Sequence, residues 1–379
     1  MDTQKKRTWA EVSLPRLEHN YLALRELIPN GCRFLGLLKA NAYGHGALPV
    51  ARRLEELGAD YFGVAFLDEA QELRRGGIKT PILILGSTPA EFAGELLDGD
   101  ITQTVFDEEA ARELSDAAVA AGKRLRVHIK VDTGMTRLGF LCDEAHMDAS
   151  AERIAAVCAL PGLEAEGIFT HFADAGCNEE YTMKQFTRFL TVLDKLGEKG
   201  VTFPIRHCAA SAATLKYPCT HLDMVRPGIA LYGHYPDPGM EELCPLLPVM
   251  EVRTRIADVR SLPKGTAVSY GCTHILDRDS RLAVLPVGYG DGFFRLLSDR
   301  QEVLIGGRRA RVTGRVCMDL CMVDVTDLPG AVPGAVATLF GEDGGALLPL
   351  EEAAGRVGTI SYELLCDVNM RVPRLYIPA

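Results

Sequence analysis

FLGLLKANAYGHGALPVARRLEELGADYFGVAFLDEAQELRRG, residues 34–76, holds two copies of one pattern. A short apolar run (Phe34 to Lys39, then Tyr61 to Ala65) precedes a charged segment whose apolar residues fall three to four apart, as at Val50, Leu54 and Leu57. An apolar run followed by helical spacing reads as a strand and then a helix. The unit recurs to about residue 230, with further runs at Ile82 to Gly86, Ile101 to Phe106, Arg126 to Asp132, Gly167 to His171, Ile205 to Cys208 and Met224 to Ile229. Eight strand and helix alternations predict an α/β fold of (β/α)8 TIM-barrel type. An open, doubly wound parallel sheet is the rival arrangement.

Working outward, Ser13 is a candidate N-cap for a helix with Leu17, Tyr21, Leu24 and Ile28 on one face, ended by Pro29-Asn30-Gly31. The acidic start of Asp107 to Gly122 suits another helix N-terminus. From about residue 246 the texture changes to alternating strands and tight turns, as in VMEVRTRIADVRSLPKG, RLAVLPVGYGDG and RRARVTGRVCMDLCMVDVTDLPG. At 379 residues the chain exceeds what one core usually supports. We therefore expect residues 1–245 to form the barrel, its first residues joining either domain, and residues 246–379 a mostly β C-terminal domain.

A net charge of −10 argues against nucleic acid or an anionic membrane as partner, since both require a basic surface. A small-molecule substrate fits better. No apolar stretch follows the basic start MDTQKKRTWAEVSL, and no run of about twenty apolar residues occurs later, so a cytoplasmic protein is expected. Eleven cysteines without CxxC pairs point to reduced thiols.

In a barrel, chemistry sits at the carboxyl ends of the strands. The first ends in LLKANAYGHG with Lys39 and Tyr43, and the fifth in HIKVDTGMTRLG with Lys130 and Arg137. The sixth ends in FTHF with His171, the seventh in HCAASA with His207 and Ser211, and the eighth in MVRPGI with Arg226, Gly228 and Ile229. Each has an ordinary reading too. Lys39 taken alone is a solvated rim charge, but an apolar strand leading into lysine and a glycine-punctuated loop suits an amine desolvated enough to form a Schiff base. Lys130 lies inside an apolar strand, so its charge must be paired or removed. His171 and His207 lack zinc-ligand spacing, and metal is not expected. Ser211 either caps the short helix SAATLKY or, with the amides of Gly228 and Ile229, binds an anion. A lysine at strand one and an anion site at strands seven and eight suggest a phosphate-bearing aldehyde cofactor. GYGDG (288–292) lacks the dinucleotide fingerprint and reads as a hairpin turn.

KANAYGHG, KVDTGMTRLG, FTHFA, MVRPGIALYG, VSYG, GYGDG, GRVCMD, TISYELLC and RVPR together resemble the alanine racemase family from end to end. That resemblance implies a fold-type III barrel with a β domain, pyridoxal 5'-phosphate (PLP) as cofactor, an amino-acid substrate and a homodimer with shared active sites. It implies that Lys39 carries the cofactor, that Tyr43, Ser211, Gly228, Ile229 and Tyr362 surround its phosphate, and that Arg226 faces its pyridine nitrogen. Racemisation needs a proton donor or acceptor on each face of the α-carbon. The resemblance assigns these roles to Lys39 and Tyr270, with His171, bridging toward Arg226, tuning the phenol. Lys130 matches a position often carbamylated, where the added anion would orient Arg137. Arg137 and the backbone at Met318 would hold the substrate carboxylate, with Cys317, Asp319 and Tyr289 on the access side. Read without the resemblance, Tyr270 is a strand tyrosine, and Tyr289 and Met318 are β-domain core residues.

One position departs from the pattern: the asparagine usual before the serine of the HCxNSA motif is Ala210 here, which removes an amide near the phosphate. A serine or broad-specificity racemase, and a PLP-binding homeostasis barrel without catalysis, are the competing functions. The latter proteins lack a second domain.

Overall fold

The computed structural model describes residues 6–378; the ends of the two expected domains, residues 1–5 and 379, lie outside the described residues. The chain forms two compact units. One takes in Leu17–Ala42 and Ala47–Leu247; the other takes in the chain through Arg16, the short piece Tyr43–Gly46, and the chain from Pro248 onward.

The first unit carries eight parallel strands: β1 (Arg33–Leu37), β2 (Tyr61–Val64), β3 (Ile82–Ile84), β4 (Ile101–Val105), β5 (Leu125–Asp132), β6 (Leu163–Phe169), β7 (Ile205–His207) and β8 (Met224–Val225). Most of their residues are buried on both faces, which is why their sequences read as apolar runs rather than as alternation. Pairing follows chain order from β1 to β7, and β8 returns to β1 with Met224 opposite Arg33. Between β7 and β8 the ladder thins to Asp223 N–H on Arg206 O, Arg226 N–H on Ala209 O, and a bridge between Ala210 and Arg226. The ring is therefore a nearly closed barrel, and the open sheet is set aside.

Helices follow the strands as the spacing predicts, including Glu108–Ala120, whose first turn is capped by the Asp107 carboxylate accepting from Ala110 N at 2.8 Å. The eighth unit differs. After β8 comes only a 3₁₀ turn, Ile229–Tyr232, stopped by left-handed Gly233. Asn20, buried on the helix Leu14–Leu27, donates to Leu231 O at 3.2 Å and to Leu247 O at 2.8 Å. The helix that precedes the barrel thus packs where an eighth helix would lie.

The second unit is mostly β. Its main sheet runs Arg308–Arg311, Glu302–Ile305, Val336–Asp343, Met250–Arg255, Thr8–Ser13, Arg374–Ile377. A three-stranded sheet (Asp258–Leu262, Ser280–Leu285, Cys321–Asp324) and a two-stranded one (Ala267–Val268, His274–Ile275) accompany it. GYGDG is not a hairpin: the strands on either side of it lie in different sheets, and it forms a 3₁₀ turn closed by Gly292 at φ +98°. Among the described residues no helix is long and apolar enough to cross a membrane.

Candidate active site

Lys39 leaves β1 half-buried and enters an unusual piece of backbone. Ala40, Asn41, Ala42 and Tyr43 all have φ between 51° and 54°, one turn of left-handed helix built from residues with side chains. Each such residue costs about 1–2 kcal/mol, so the turn persists only where surrounding bonds over-determine it. Glu69 supplies two of them, accepting from Ala40 N and from Ala65 N at 2.6 Å each, which ties the end of β1 to the end of β2. Asn41 Oδ1 accepts from Ala47 N at 2.8 Å. Sequence reasoning overlooked Glu69. Its place at the third position of a helix was legible, but its reach to Ala40 was not.

The other strand ends of the barrel assemble positive charge. Lys130 is buried, with Nζ 4.5 Å from the centre of the Phe169 ring, and has no ion-pair partner among the described residues. Burial, then Arg226 and Arg137, drive its amine well below the usual lysine range, so it is held neutral. Asp132 is the one carboxylate acting on it, and it already accepts from the amides of Gly134, Thr136 and Arg137 at 2.9, 3.1 and 3.0 Å. His171 is also pushed far below its ordinary value, by burial and then by Arg226, Lys130, Arg137 and Lys39. These residues, drawn from four strand ends, therefore share one neighbourhood.

Arg226 is 2 % exposed, and burial lowers its guanidinium to about 10, still protonated at neutral pH. It donates to Thr170 O at 2.9 Å, Cys208 O at 3.2 Å, His207 Nδ1 at 2.9 Å and His171 Nδ1 at 3.3 Å. Ser211 does not cap its helix; its hydroxyl accepts from Gly228 N at 2.9 Å and Ala230 N at 3.3 Å, on the next loop. The amide of Ile229 lies between those two. Ile229 is wholly buried, and its N–H finds no acceptor among the described residues. Buried amides are rarely left orphaned, and an anion satisfies one well. Clustered cations with a single occupied carboxylate, beside that amide, fit a ligand carrying a phosphate and a carboxylate.

Ala210 occupies the N-cap position of the helix Ser211–Lys216 and offers no side-chain acceptor. Ala210→Asn should therefore add a cap and raise stability by about 1 kcal/mol. An unchanged denaturant midpoint would show that the amide has no role there.

In the second unit Tyr43 packs against Tyr362, ring centres 6.1 Å apart, and is held by its neighbours: a Cβ on Gly44 would lie 2.2 Å from Leu365 O. Burial, then Tyr362 and Cys366, push the Tyr43 phenol up. Tyr270 is not a strand core residue. It sits on a turn between Ser269 (φ 62°) and Gly271 (φ 75°) and is 69 % exposed. Ser269 Oγ donates to Arg315 O at 2.6 Å, leaning the turn on the segment that carries Cys317, Met318 and Asp319. Tyr289 N–H donates to Cys317 O at 3.0 Å and Gly290 N–H to Met318 O at 2.9 Å. Close contact needs Gly288, where a Cβ would meet Cys317 O at 2.2 Å. Arg371, overlooked in the sequence, fixes Asp319 at 2.7 Å. Met318 and Tyr289 are likewise exposed rather than core, so VSYG, GYGDG, GRVCMD and RVPR converge on one open surface.

Comparison with known proteins meets these features at both halves of the chain. Residues 12–236 match the family model "Alanine racemase, N-terminal domain", and residues 249–376 match "Alanine racemase, C-terminal domain". The chain belongs to the alanine racemase family. Members of that family are PLP-dependent enzymes. It is 48 % identical to the alanine racemase of Desulforamulus reducens over 98 % of this chain and 100 % of that protein. It is 45 % identical to that of Desulfovibrio desulfuricans, over 97 % and 98 %. Among solved structures, the alanine racemase of Clostridium difficile 630 superposes with a TM-score of 0.93 at 38 % identity, over 98 % of this chain and 96 % of that one. That of a D-cycloserine-producing Streptomyces lavendulae gives 0.92 at 36 %, over 99 % and 98 %.

Proposed function

We propose that this chain interconverts L- and D-alanine by a two-base mechanism, as a cytoplasmic homodimer. The observation that carries the reading is the cluster of Lys39, Arg137 and Arg226 around the neutral amine of Lys130, served by one carboxylate, Asp132, that is already occupied by backbone amides. Ser211, Gly228, Ile229, Tyr43 and Tyr362 would hold the PLP phosphate, and Arg226 would face the pyridine nitrogen. When bound, PLP withdraws electrons from the amino acid and acidifies its α-hydrogen. Arg226 would donate a hydrogen bond to that nitrogen without surrendering a proton, which would limit how far charge spreads from the α-carbon. Short-lived charge at the α-carbon favours return of a proton to that carbon over transamination. The Lys39 amine moves the proton on one face, and the Tyr270 phenol, tuned through His171, on the other. Arg137 and the Met318 amide would hold the substrate carboxylate, with Cys317, Asp319 and Tyr289 lining the approach.

Incubation with a panel of amino acids in deuterated water tests this. Alanine should exchange its α-hydrogen fastest and emerge racemic. Faster exchange of serine would make the chain a serine or broad-specificity racemase, and PLP binding with no exchange at all would make it a cofactor carrier.

Lys130 is read as N6-carboxylysine, because a neutral buried amine is the form that adds CO2, and the resulting anion would orient Arg137. Lys130→Ala should lower kcat on the order of 10²-fold and recover partly with added acetate or another short carboxylate. An unaffected rate would make the position structural.

A further inference from the structure

We infer that Glu166, on β6, is a positioning residue for Arg226 that acts across the barrel interior through His128 and His207. The inference rests on the reading of Arg226 as the group facing the pyridine nitrogen. Its physical basis is the guanidinium's surroundings. Among the described residues Arg226 has two carbonyls and two imidazole nitrogens as acceptors and no carboxylate. A buried cation without a counter-anion is costly, and polarisable neutral groups that lead to one reduce the cost.

The protons along this path follow from its first member. A guanidinium only donates, so His207 Nδ1, 2.9 Å from Arg226, bears no proton. Burial, then Arg226, hold His207 far below its ordinary value, so the ring is neutral with its proton on Nε2. That N–H lies 2.9 Å from His128 Nδ1, which must accept it. Burial keeps His128 neutral as well, so its proton is on Nε2, which makes no hydrogen bond among the described residues and lies 3.5 Å from Glu166 Oε2, close enough for the carboxylate charge to act on it. The Tyr61 hydroxyl donates to the same oxygen at 2.6 Å. Burial alone would raise the Glu166 carboxyl, but His128 and Tyr61 hold it down at about 2, an anion at every working pH. The N–H bonds of the arginine and of two imidazoles with the same tautomer thus all point one way, toward the carboxylate.

Two backbone features belong to this path. The β5–β6 ladder slips by one residue, with Val127 opposite Ala165 and His128 opposite Gly167, so Glu166 is the extra residue of a bulge, a device that re-aims a side chain. At Gly167 a Cβ would lie 2.6 Å from the His128 ring, so only glycine leaves the imidazole its place. Phe169, further along β6, stacks on His207 with ring centres 4.7 Å apart and planes 10° from parallel.

The test uses PLP-loaded and PLP-free protein labelled with 15N-histidine. Both rings should be neutral with the proton on Nε2; a proton on Nδ1 of either ring overturns the path. Glu166→Gln should shift the His207 Nε2–H resonance, although the two residues do not touch, and lower kcat about tenfold with KM nearly unchanged, as removal of the carboxylate charge at the end of the path predicts. Gly167→Ala, which keeps the carboxylate but crowds out His128, should reproduce both changes, and Glu166→Asp should restore part of the rate. A His207 signal unmoved in both variants, or a moved signal with kcat intact, sinks the inference. Wild-type racemisation by Arg226→Leu would instead overturn the reading of Arg226 itself.

Discussion

Lys39→Ala is expected to lower racemisation by about 10⁴-fold or more and to leave the protein without covalently held PLP. The lysine is asked for two things at once, the cofactor link and one of the two bases, and a positioned base alone contributes about 10²–10⁴. Folding should survive, because the left-handed turn is held by Glu69 and Asn41, with Lys39 itself only half-buried. Borohydride reduction of the PLP-loaded wild type, followed by peptide mapping, checks the assignment. The cofactor mass should fall on the KANAYGHG peptide; finding it on Lys130 would transfer the role, and the neutral amine of Lys130 makes that a real contest.

The second large effect is a gain. Lys39→Ala and Tyr270→Phe chains, each nearly inactive, should recover roughly a quarter of wild-type activity when unfolded together and refolded. Half the dimers formed at random are mixed, and a mixed dimer whose sites are shared has one site with both bases and one with neither. The exposure of Tyr270, with Met318 and Tyr289 beside it, is what a residue serving a partner's site would show in a single chain. Merely additive residual activity, compared with each chain refolded alone, would place both bases in one subunit.

How much of this was legible beforehand depended on the range over which each feature is encoded. Apolar runs located each barrel strand at least in part, since a strand buried on both faces is largely apolar; β6 reaches back to Leu163 through Glu164 and Glu166, a stretch that no apolar run marks. The Asp107 cap and the left-handed stop at Gly31 were equally local, written in residues a few positions apart. The motifs carried the family because they recur as contiguous words. Where local reading failed, an ordinary prior was overridden by position: Tyr270, Tyr289 and Met318 look like core aromatic and apolar residues, and only the turn geometry of their unit puts them outside.

What tertiary structure alone decided is which side chains meet. Strand periodicity says that His128, Glu166, His207 and Arg226 lie in or beside strands, but the encounter of residues up to 79 positions apart follows from the order of strands around the barrel and from one slipped residue between β5 and β6. A bulge leaves no signature in composition, and a one-residue change of register turns a side chain to the other face. The same holds for Glu69 and the amide of Ala40, joined only because β1 and β2 end side by side. Sequence thus determined the elements and the chemistry at their ends, while the closed ring of strands determined which charges share a neighbourhood and which neutral groups connect them.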